Sequence, residues 1–384
     1  MTTVGILGAG QLGRMLALAG YPLGLCFRFL DPAPGAPAGQ MAEHIQGDYA
    51  DTATLERFSA GLDVVTYEFE NVPIAAARFL AGRVPVYPPP LALEVAQDRL
   101  AEKTFFRSIG AATPPFAPVD SRESLDAAIA QIGLPAVLKT RRLGYDGKGQ
   151  MVLRAPSDLD AAWAALGATP LILEGFVRFE RELSILAARG RGGETAFYPL
   201  IENHHRDGIL RLSLAPAPGV TSALQAEAEQ IAARALTALE YVGVLAIELF
   251  EVAGDGSWEV EAGASPQYQP PSPISHLLVN EMAPRVHNSG HWTIEGAETS
   301  QFEQHLRAVL GLPLGANTPR GHSAMVNLIG ALPDPSAALA IRGAHLHLYG
   351  KEPRPARKVG HITVRADAIE ELQARLARAL DLVR

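Results

Sequence analysis

TVGILGAGQLGRMLALAG, Thr3–Gly20, passes from a short apolar strand through a glycine turn into an apolar-rich helix. A strand that feeds a helix this directly is the opening unit of a parallel sheet with helices on its faces. The pattern repeats outward from it. Leu23–Asp31 is a second apolar strand, and Thr52–Gly61 reads as a helix with Asp51 or Thr52 as its cap. Leu62–Pro73 carries a third strand, Ile74–Gly82 a helix, and VPVYPPP, Val84–Pro90, breaks the run. The first hundred residues therefore form one small open α/β domain. Gly8, Gly10 and Gly13 make a G-x-G-x-x-G between strand and helix, and Asp31 ends the next strand where a ribose contact would fall. Three readings stand: a tight turn, a helix N-terminus that holds some anion, or a dinucleotide site. The last would make the chain a nicotinamide-dependent oxidoreductase, and it leaves everything after residue 98 unexplained.

Composition narrows the rest. The chain has 384 residues, room for two or three domains, with 48% apolar and 19% charged side chains. A net charge of −8 implies no general affinity for nucleic acid or an anionic membrane. One cysteine, Cys26, excludes an internal disulfide framework and a thiolate metal cluster. The N-terminus lacks the pattern of a secretory signal, and no run of eighteen apolar residues could span a membrane. The expectation is a soluble cytoplasmic protein.

The second region begins with one long helical stretch, Leu91–Gly110. The strand PAVLKT places Lys139 just before RRLGYDGKGQ, Arg141–Gln150, which holds three glycines, two arginines and a lysine. Glycines let backbone approach a ligand closely, and the cations suit phosphates. The strand LILEGFV carries Glu174 and, on leaving the core, could offer backbone groups to a base edge; Glu182 could accept from ribose hydroxyls. Glu180–Gly190 and Thr195–His205 read as antiparallel strands, and Ala223–Gly243 as an amphipathic helix. Val244–Val252, Ser257–Ala262 and Leu277–Ala283 complete the region as strands. Glu248 interrupts one of them, Asn280 and Glu281 another. If those strands pair, two carboxylates and an amide meet at one edge of a nucleotide, a donor set suited to Mg²⁺. Arg285, His287, Asn288 and His291 follow within seven residues, dense enough to orient a small oxyanion. Lys351, Arg354, Arg357, Lys358 and His361 form a basic cluster suited to a phosphate monoester. A third region, from about Thr299, holds a helix, strands around Ala344–Pro353 and Val359–Arg365, and a closing helix from Ala368.

These motifs, with TYEFENVP, QDRLAEK, EGFV, IENHH, VNEMAPRVHNSGHW and RKVGHIT in that order, resemble the ATP-grasp superfamily over nearly the whole chain. Within it they resemble the branch that carboxylates 5-aminoimidazole ribonucleotide in bacterial purine biosynthesis. The resemblance implies an α/β fold with a Rossmann-like open sheet over residues 1–98. It implies a two-lobed ATP-grasp domain over 99–298, with a lid lobe at about 110–178, and a small C-terminal α/β domain over 299–384. It implies ATP contacts at Arg99, Lys139, Gly144, Tyr145, Asp146, Gly147, Lys148, Gly149, Gln150, Glu174, Gly175, Phe176, Val177, Glu182, His205, Asn280 and Glu281, with Mg²⁺ on Glu248 and Glu281. The ribonucleotide would meet Glu68 or Glu70, placed on one side of a strand by period-two spacing, with Tyr145, Lys351, Arg357 and Lys358. Arg285, His287 and Asn288 would handle bicarbonate. A homodimer is implied as well. Formate-dependent ribonucleotide ligases are the near rival. Two departures stand out: a Pro/Ser/Gln-rich patch, Ala262–Ser275, between the two metal ligands, and Val286 where proline is more usual.

Overall fold

The computed structural model describes residues 1–144, 147–253 and 275–383. The chain opens with β1 (Thr3–Leu7), α1 (Gln11–Gly20), β2 (Cys26–Asp31), β3 (Glu43–Gln46), α2 (Thr52–Ser59), β4 (Val64–Tyr67) and α3 (Ile74–Ala81). The four strands form a parallel sheet in the order β3-β2-β1-β4. Val4, Ile6, Phe27 and Phe29 are buried, as strands covered on both faces require. Asp51 caps α2 by accepting from the Ala53 N–H at 3.1 Å.

The glycine turn is real, but its anion is internal. Gly8 has φ +96°, a backbone that glycine takes without penalty. The N–H groups of Gly10 and Gly13 donate to the two oxygens of Glu68, at 2.7 and 2.9 Å. Asp31 accepts from the N–H of Ala9 at 2.9 Å and of Ala33 at 2.8 Å. The carboxylates thus occupy the donors that a pyrophosphate would need, and Asp31 braces the turn instead of meeting a ribose. This excludes the dinucleotide reading. A second expectation also fails here. β4 ends at Tyr67, so Glu68 and Glu70 lie beyond the strand and do not share a strand face: Glu68 turns back into the glycine turn and Glu70 goes elsewhere.

The expected long helix over Leu91–Gly110 is two helices, α4 (Pro90–Ala96) and α5 (Arg99–Ser108). Asp98 separates them. Its carboxylate caps α5 through the N–H of Leu100 at 3.0 Å and pairs with Arg141, so its backbone stays extended. Next come β5 (Phe116–Val119), α6 (Arg122–Ile132), β6 (Ala136–Thr140), β7 (Gln150–Leu153), α7 (Leu159–Leu166) and β8 (Leu171–Gly175). They build a four-stranded antiparallel sheet, order β5-β8-β6-β7, over its own core of Val119, Leu125, Leu138 and Leu173. β5 and α6 escape sequence reading, since FAPV is short and proline-interrupted.

The main sheet takes in β9 (Arg181–Arg189), β10 (Thr195–Phe197), β11 (Ile201–Arg206), β12 (Ile209–Ala215), α8 (Ser222–Ala238) on its face, β13 (Gly243–Ala253) and β14 (Ser275–Ala283). The expected single strand over Thr195–His205 is two, β10 and β11, which run along the same edge of β9, opposite β13, with the register slipping by one residue across Tyr198–Leu200. After α9 (Thr293–Gly296) and α10 (Gln301–Leu310) come β15 (His322–Ile329), α11 (Pro335–Leu339), β16 (Ala344–Leu348), β17 (Lys358–Ala366) and α12 (Ile369–Asp381). β15 pairs with β12, so these last strands extend the same sheet to nine, in the order β14-β13-β9-β11-β12-β15-β17-β16 with β10 beside β9.

Ala253 and Ser275 are opposite one another at the end of the β13–β14 ladder. Within that ladder Glu248 and Glu281 are in register. The strand expected over Ser257–Ala262 and the patch Ala262–Ser275 lie outside the described residues, apart from the first residue of β14. Val286 packs in a core with Ala188 and Val244, so the absence of proline there is absorbed by burial.

Glu68→Ala leaves two buried N–H groups without an acceptor and should lower unfolding stability by about 2–3 kcal/mol, read from urea melts. The wild-type chain should give no NADH fluorescence enhancement.

Candidate active site

A cleft of about 470 Å³ lies between the small antiparallel sheet and the main sheet. The loop from β6 to β7 covers it. Gly147 and Gly149 have φ of +76° and +71°, and a Cβ on Gly147 would come within 3.2 Å of Gly208 in the β11–β12 turn. Glycine is thus required where the loop meets the opposite lobe. Arg141 and Arg142 both pair with Asp98, at 2.8 and 3.2 Å, and anchor the base of the loop, with Arg141 bordering the cleft as well. Gly144, Gly147, Lys148 and Gln150 line the cleft. Tyr145 and Asp146 lie outside the described residues.

The floor is set by strand register. Glu281 on β14 is opposite Glu248 on β13, which is opposite Ser184 on β9. Opposite residues of an antiparallel pair share a face, so both carboxylates point into the cleft. The ladder shifts between Glu248 and Leu249, where Val279 pairs and Asn280 is the extra residue. Such bulges re-aim side chains. Helix α5 holds this one. Lys103 Nζ donates to the carbonyls of Val279 at 3.1 Å and Asn280 at 2.6 Å, and Glu102 accepts from the Met282 N–H at 2.6 Å. Arg99, one turn earlier, donates to Glu281 at 2.8 Å and to the Gly144 carbonyl at 3.3 Å, joining the floor to the loop. Burial, and then the charge of Glu281, push Glu248 up to about 7, while Arg99 holds Glu281 below the usual range against the cost of burial. Two facing carboxylates, one of them reluctant to ionise, and the Asn280 bulge beside them fit a hard divalent cation.

The far wall carries a buried ion cluster. Glu174 is 2% exposed and its Oε2 lies 3.0 Å from Lys139 and 3.4 Å from Lys103. Burial opposes its charge, but Lys103, Lys139 and Arg99 draw it down to about 2. Its side chain therefore holds cations in place. The N–H groups of Gly175 and Phe176 donate to Pro115 at 2.8 Å and Pro135 at 3.2 Å, which leaves Val177 as the next backbone N–H along the cleft wall. Glu182 pairs with His205, and that bond raises the imidazole against the opposing effect of burial.

Beyond β14, Arg285 binds Glu70, bringing the first domain to the cleft edge. Burial penalises Glu70, yet Arg285 keeps it below the usual carboxylate range. His287 lies 3.5 Å from Glu248 through Nε2. Burial, then the charges of Arg285 and Lys358, press it down to about 3, so it is neutral. Asn288 Nδ2 is buried with no partner among the described residues, and Asn288 lines the same region. Lys358 lines the cleft, and Lys351 meets Gln11 beside it. Arg357 stays near enough to act on the Lys351 amine, and the other two members of the expected basic cluster part from it. Arg354 is exposed on Glu352, Arg357 donates to the Glu352 carbonyl at 3.3 Å, and His361 is fully buried against the Tyr349 hydroxyl at 2.7 Å. His361 is enclosed because β17 is buried on both faces from Val359 to Val364.

Lys103 and Glu102 were absent from the sequence expectations. Their spacing from Arg99, at i+3 and i+4, was the available signal: it puts all three on one helix face.

A glycine loop over a cleft between two antiparallel sheets, a lysine on the strand before it, and two carboxylates facing across a hairpin define the ATP-grasp class of enzymes. Residues 104–302 match the ATP-grasp domain, residues 1–97 the ribonucleotide synthetase preATP-grasp domain, and residues 323–375 the phosphoribosylaminoimidazole carboxylase C-terminal domain. N5-carboxyaminoimidazole ribonucleotide synthase of Pseudomonas aeruginosa is 53% identical over 380 residues, 99% of each chain. The crystal structure of the N5-carboxyaminoimidazole ribonucleotide synthetase of Thermus thermophilus is 60% identical, with a TM-score of 0.91 over 99% of this chain and 98% of that one. That of Aspergillus clavatus N5-carboxyaminoimidazole synthase with ADP and 5-aminoimidazole ribonucleotide is 32% identical, with a TM-score of 0.88 over 100% and 98%. The chain belongs to the N5-carboxyaminoimidazole ribonucleotide synthase family.

Glu174→Gln tests the buried cluster through pH. A carboxyl depressed in the fold contributes stability only while ionised. The Tm deficit of the variant should be complete above pH 4.5, the free-group value, and shrink as pH falls toward 2. Lys103→Met breaks the same cluster and should cost about 3–5 kcal/mol, measured by urea unfolding.

Proposed function

We infer that the chain uses ATP to carboxylate the exocyclic amine of 5-aminoimidazole ribonucleotide, giving N5-carboxyaminoimidazole ribonucleotide, ADP and phosphate in purine biosynthesis. One observation carries the reading: Lys139, the Glu248–Glu281 pair, the Arg285–His287–Asn288 group and Glu70 of the first domain all border one cleft. Bicarbonate is the carbon donor in this reading. Its carbon is a poor electrophile, and a bicarbonate oxygen attacking the γ-phosphorus gives carboxyphosphate and ADP. The amine then bonds to the carboxyl carbon as the C–O bond to phosphate breaks, and the amine proton is lost.

The residues divide that work. Lys139, Lys148 and Arg99 would neutralise the polyphosphate, and the glycine loop with Tyr145 would close over it and exclude water from the mixed anhydride. Glu248, Glu281 and Asn280 would hold Mg²⁺, which supplies charge neutralisation on the transferring phosphoryl group. Arg285 and the free donor of Asn288 would fix bicarbonate. Glu182 and His205 suit the nucleotide's ribose end, and Val177 its base. Glu70, Lys351, Arg357 and Lys358 would receive the ribonucleotide, whereas Glu68 is committed to the glycine turn. In the same reading the enzyme is a cytoplasmic homodimer, which sedimentation of the purified chain tests; among the described residues no helix is long and apolar enough to cross a membrane.

ADP release should require both bicarbonate and 5-aminoimidazole ribonucleotide, with formate inactive in place of bicarbonate. Lys139→Ala and Glu281→Ala should each lower kcat by about a hundredfold or more while circular dichroism stays unchanged. Mg²⁺ affinity in the presence of a nonhydrolysable ATP analogue, measured by calorimetry, should weaken as pH falls below about 7, because Glu248 then takes up the proton that the metal must displace.

A further inference from the structure

Beneath the cleft, four buried polar side chains stand in line and end on His287. Ser213 Oγ donates to Asn203 Oδ1 at 2.8 Å, Asn203 Nδ2 to Ser184 Oγ at 2.9 Å, and Ser184 Oγ to Ser289 Oγ at 2.8 Å. Ser289 Oγ is 2.9 Å from His287 Nδ1. The three serines are fully buried and Asn203 is 5% exposed. Register explains the alignment: Asn203 is opposite Ser213 on one side and Glu182 on the other, and Ser184 is opposite Glu248. All therefore share the sheet face that carries the carboxylates. A polar chain inside a core is costly unless its donors and acceptors match, and here they match in one direction.

That direction reaches the imidazole. The Ser289 N–H also donates to His287 Nδ1, at 3.3 Å. A backbone amide can only donate, so Nδ1 carries the lone pair. Asn203 donates to Ser184, so the Ser184 proton goes to Ser289 and the Ser289 proton is left for Nδ1. A neutral imidazole that accepts at Nδ1 has its hydrogen on Nε2. Nε2 is the atom that faces Glu248 and the cleft. The other tautomer would set an Nδ1–H against a backbone N–H.

We propose that Ser289, Ser184, Asn203 and Ser213 form a directional relay that holds His287 as its Nε2–H tautomer, so that His287 meets bicarbonate as a hydrogen-bond donor and takes no proton. Ser184, Asn203 and Ser213 are then positioning residues for the carboxylation. The donor role rests on the bicarbonate reading of the cleft; the tautomer does not.

The test is the long-range proton–nitrogen spectrum of the full chain with ¹⁵N-labelled histidine. His287→Gln identifies the His287 signals among the eleven histidines. The wild type should show a pyridine-like Nδ1 and a pyrrole-like Nε2 at neutral pH. Asn203→Asp replaces the donor with a second acceptor. Ser184 then turns its proton to residue 203, Ser289 turns toward Ser184, and His287 should shift toward the Nδ1–H form. kcat should fall by about tenfold or more, with KM for ATP little changed. Adding Ser184→Ala to Asn203→Asp cuts the relay and should return the spectrum toward wild type, an outcome that loss of packing alone would not produce. A pyrrole-like Nδ1 or an imidazolium in the wild type overturns the proposal even if Asn203→Asp fails to fold. So does a folded Asn203→Asp with wild-type spectrum and kcat. Full carboxylation by His287→Gln, with the Nε2–H signature intact in the parent, would remove the bicarbonate role and leave the tautomer standing.

Discussion

Glu248 and Glu281 face each other across a β-ladder, and like charges so placed repel. The rest of the cleft is organised around that repulsion. Arg99 answers Glu281 alone. Burial, and then the charge of Glu281, push Glu248 up to about 7, and its neighbour His287 is neutral. A divalent cation would relieve both groups at once, and phosphate oxygens would complete what two carboxylates leave open. The same strain would be intolerable in an interior that bound nothing.

Holding the two carboxylates at this distance is the task of α5. One face of a ten-residue helix supplies Arg99, Glu102 and Lys103. They fix the carbonyls and N–H groups that flank Glu281, and they reach Glu174 on the opposite lobe. A single rigid element thereby references the two-carboxylate side of the cleft to the Lys139 and Glu174 side. Asp98, which starts this helix, also anchors the loop that covers the cleft. Helix start, loop base and carboxylate floor are consequently one mechanical unit.

The first domain shows how a glycine turn suited to an outside anion can be filled from within. Its glycine turn still aims N–H groups outward from a helix N-terminus. Glu68 satisfies them from within, and Asp31 braces the turn from the other side. The domain still borders the cleft, through Gln11 and Leu12 at the start of α1 and through Glu70, which meets Arg285.

The sequence by itself determined much of this. Alternating strands and helices announced the open sheet, and the order of the motifs announced the ATP-grasp class with its loop, its lysine strand and its two acidic strands. Those features are local, carried by periodicity and by residue types next to each other. The sequence could not say which acids face which cations, because that depends on register and on contacts across more than a hundred residues. Glu68 and Glu70 are two residues apart and equal on paper, yet one is drawn into the glycine turn and the other to an arginine 215 residues away. Lys103 looked like one more helix lysine until a bulge on β14 presented two carbonyls to it. Only the tertiary structure decided these assignments, since a buried charge takes the partner that packing places beside it.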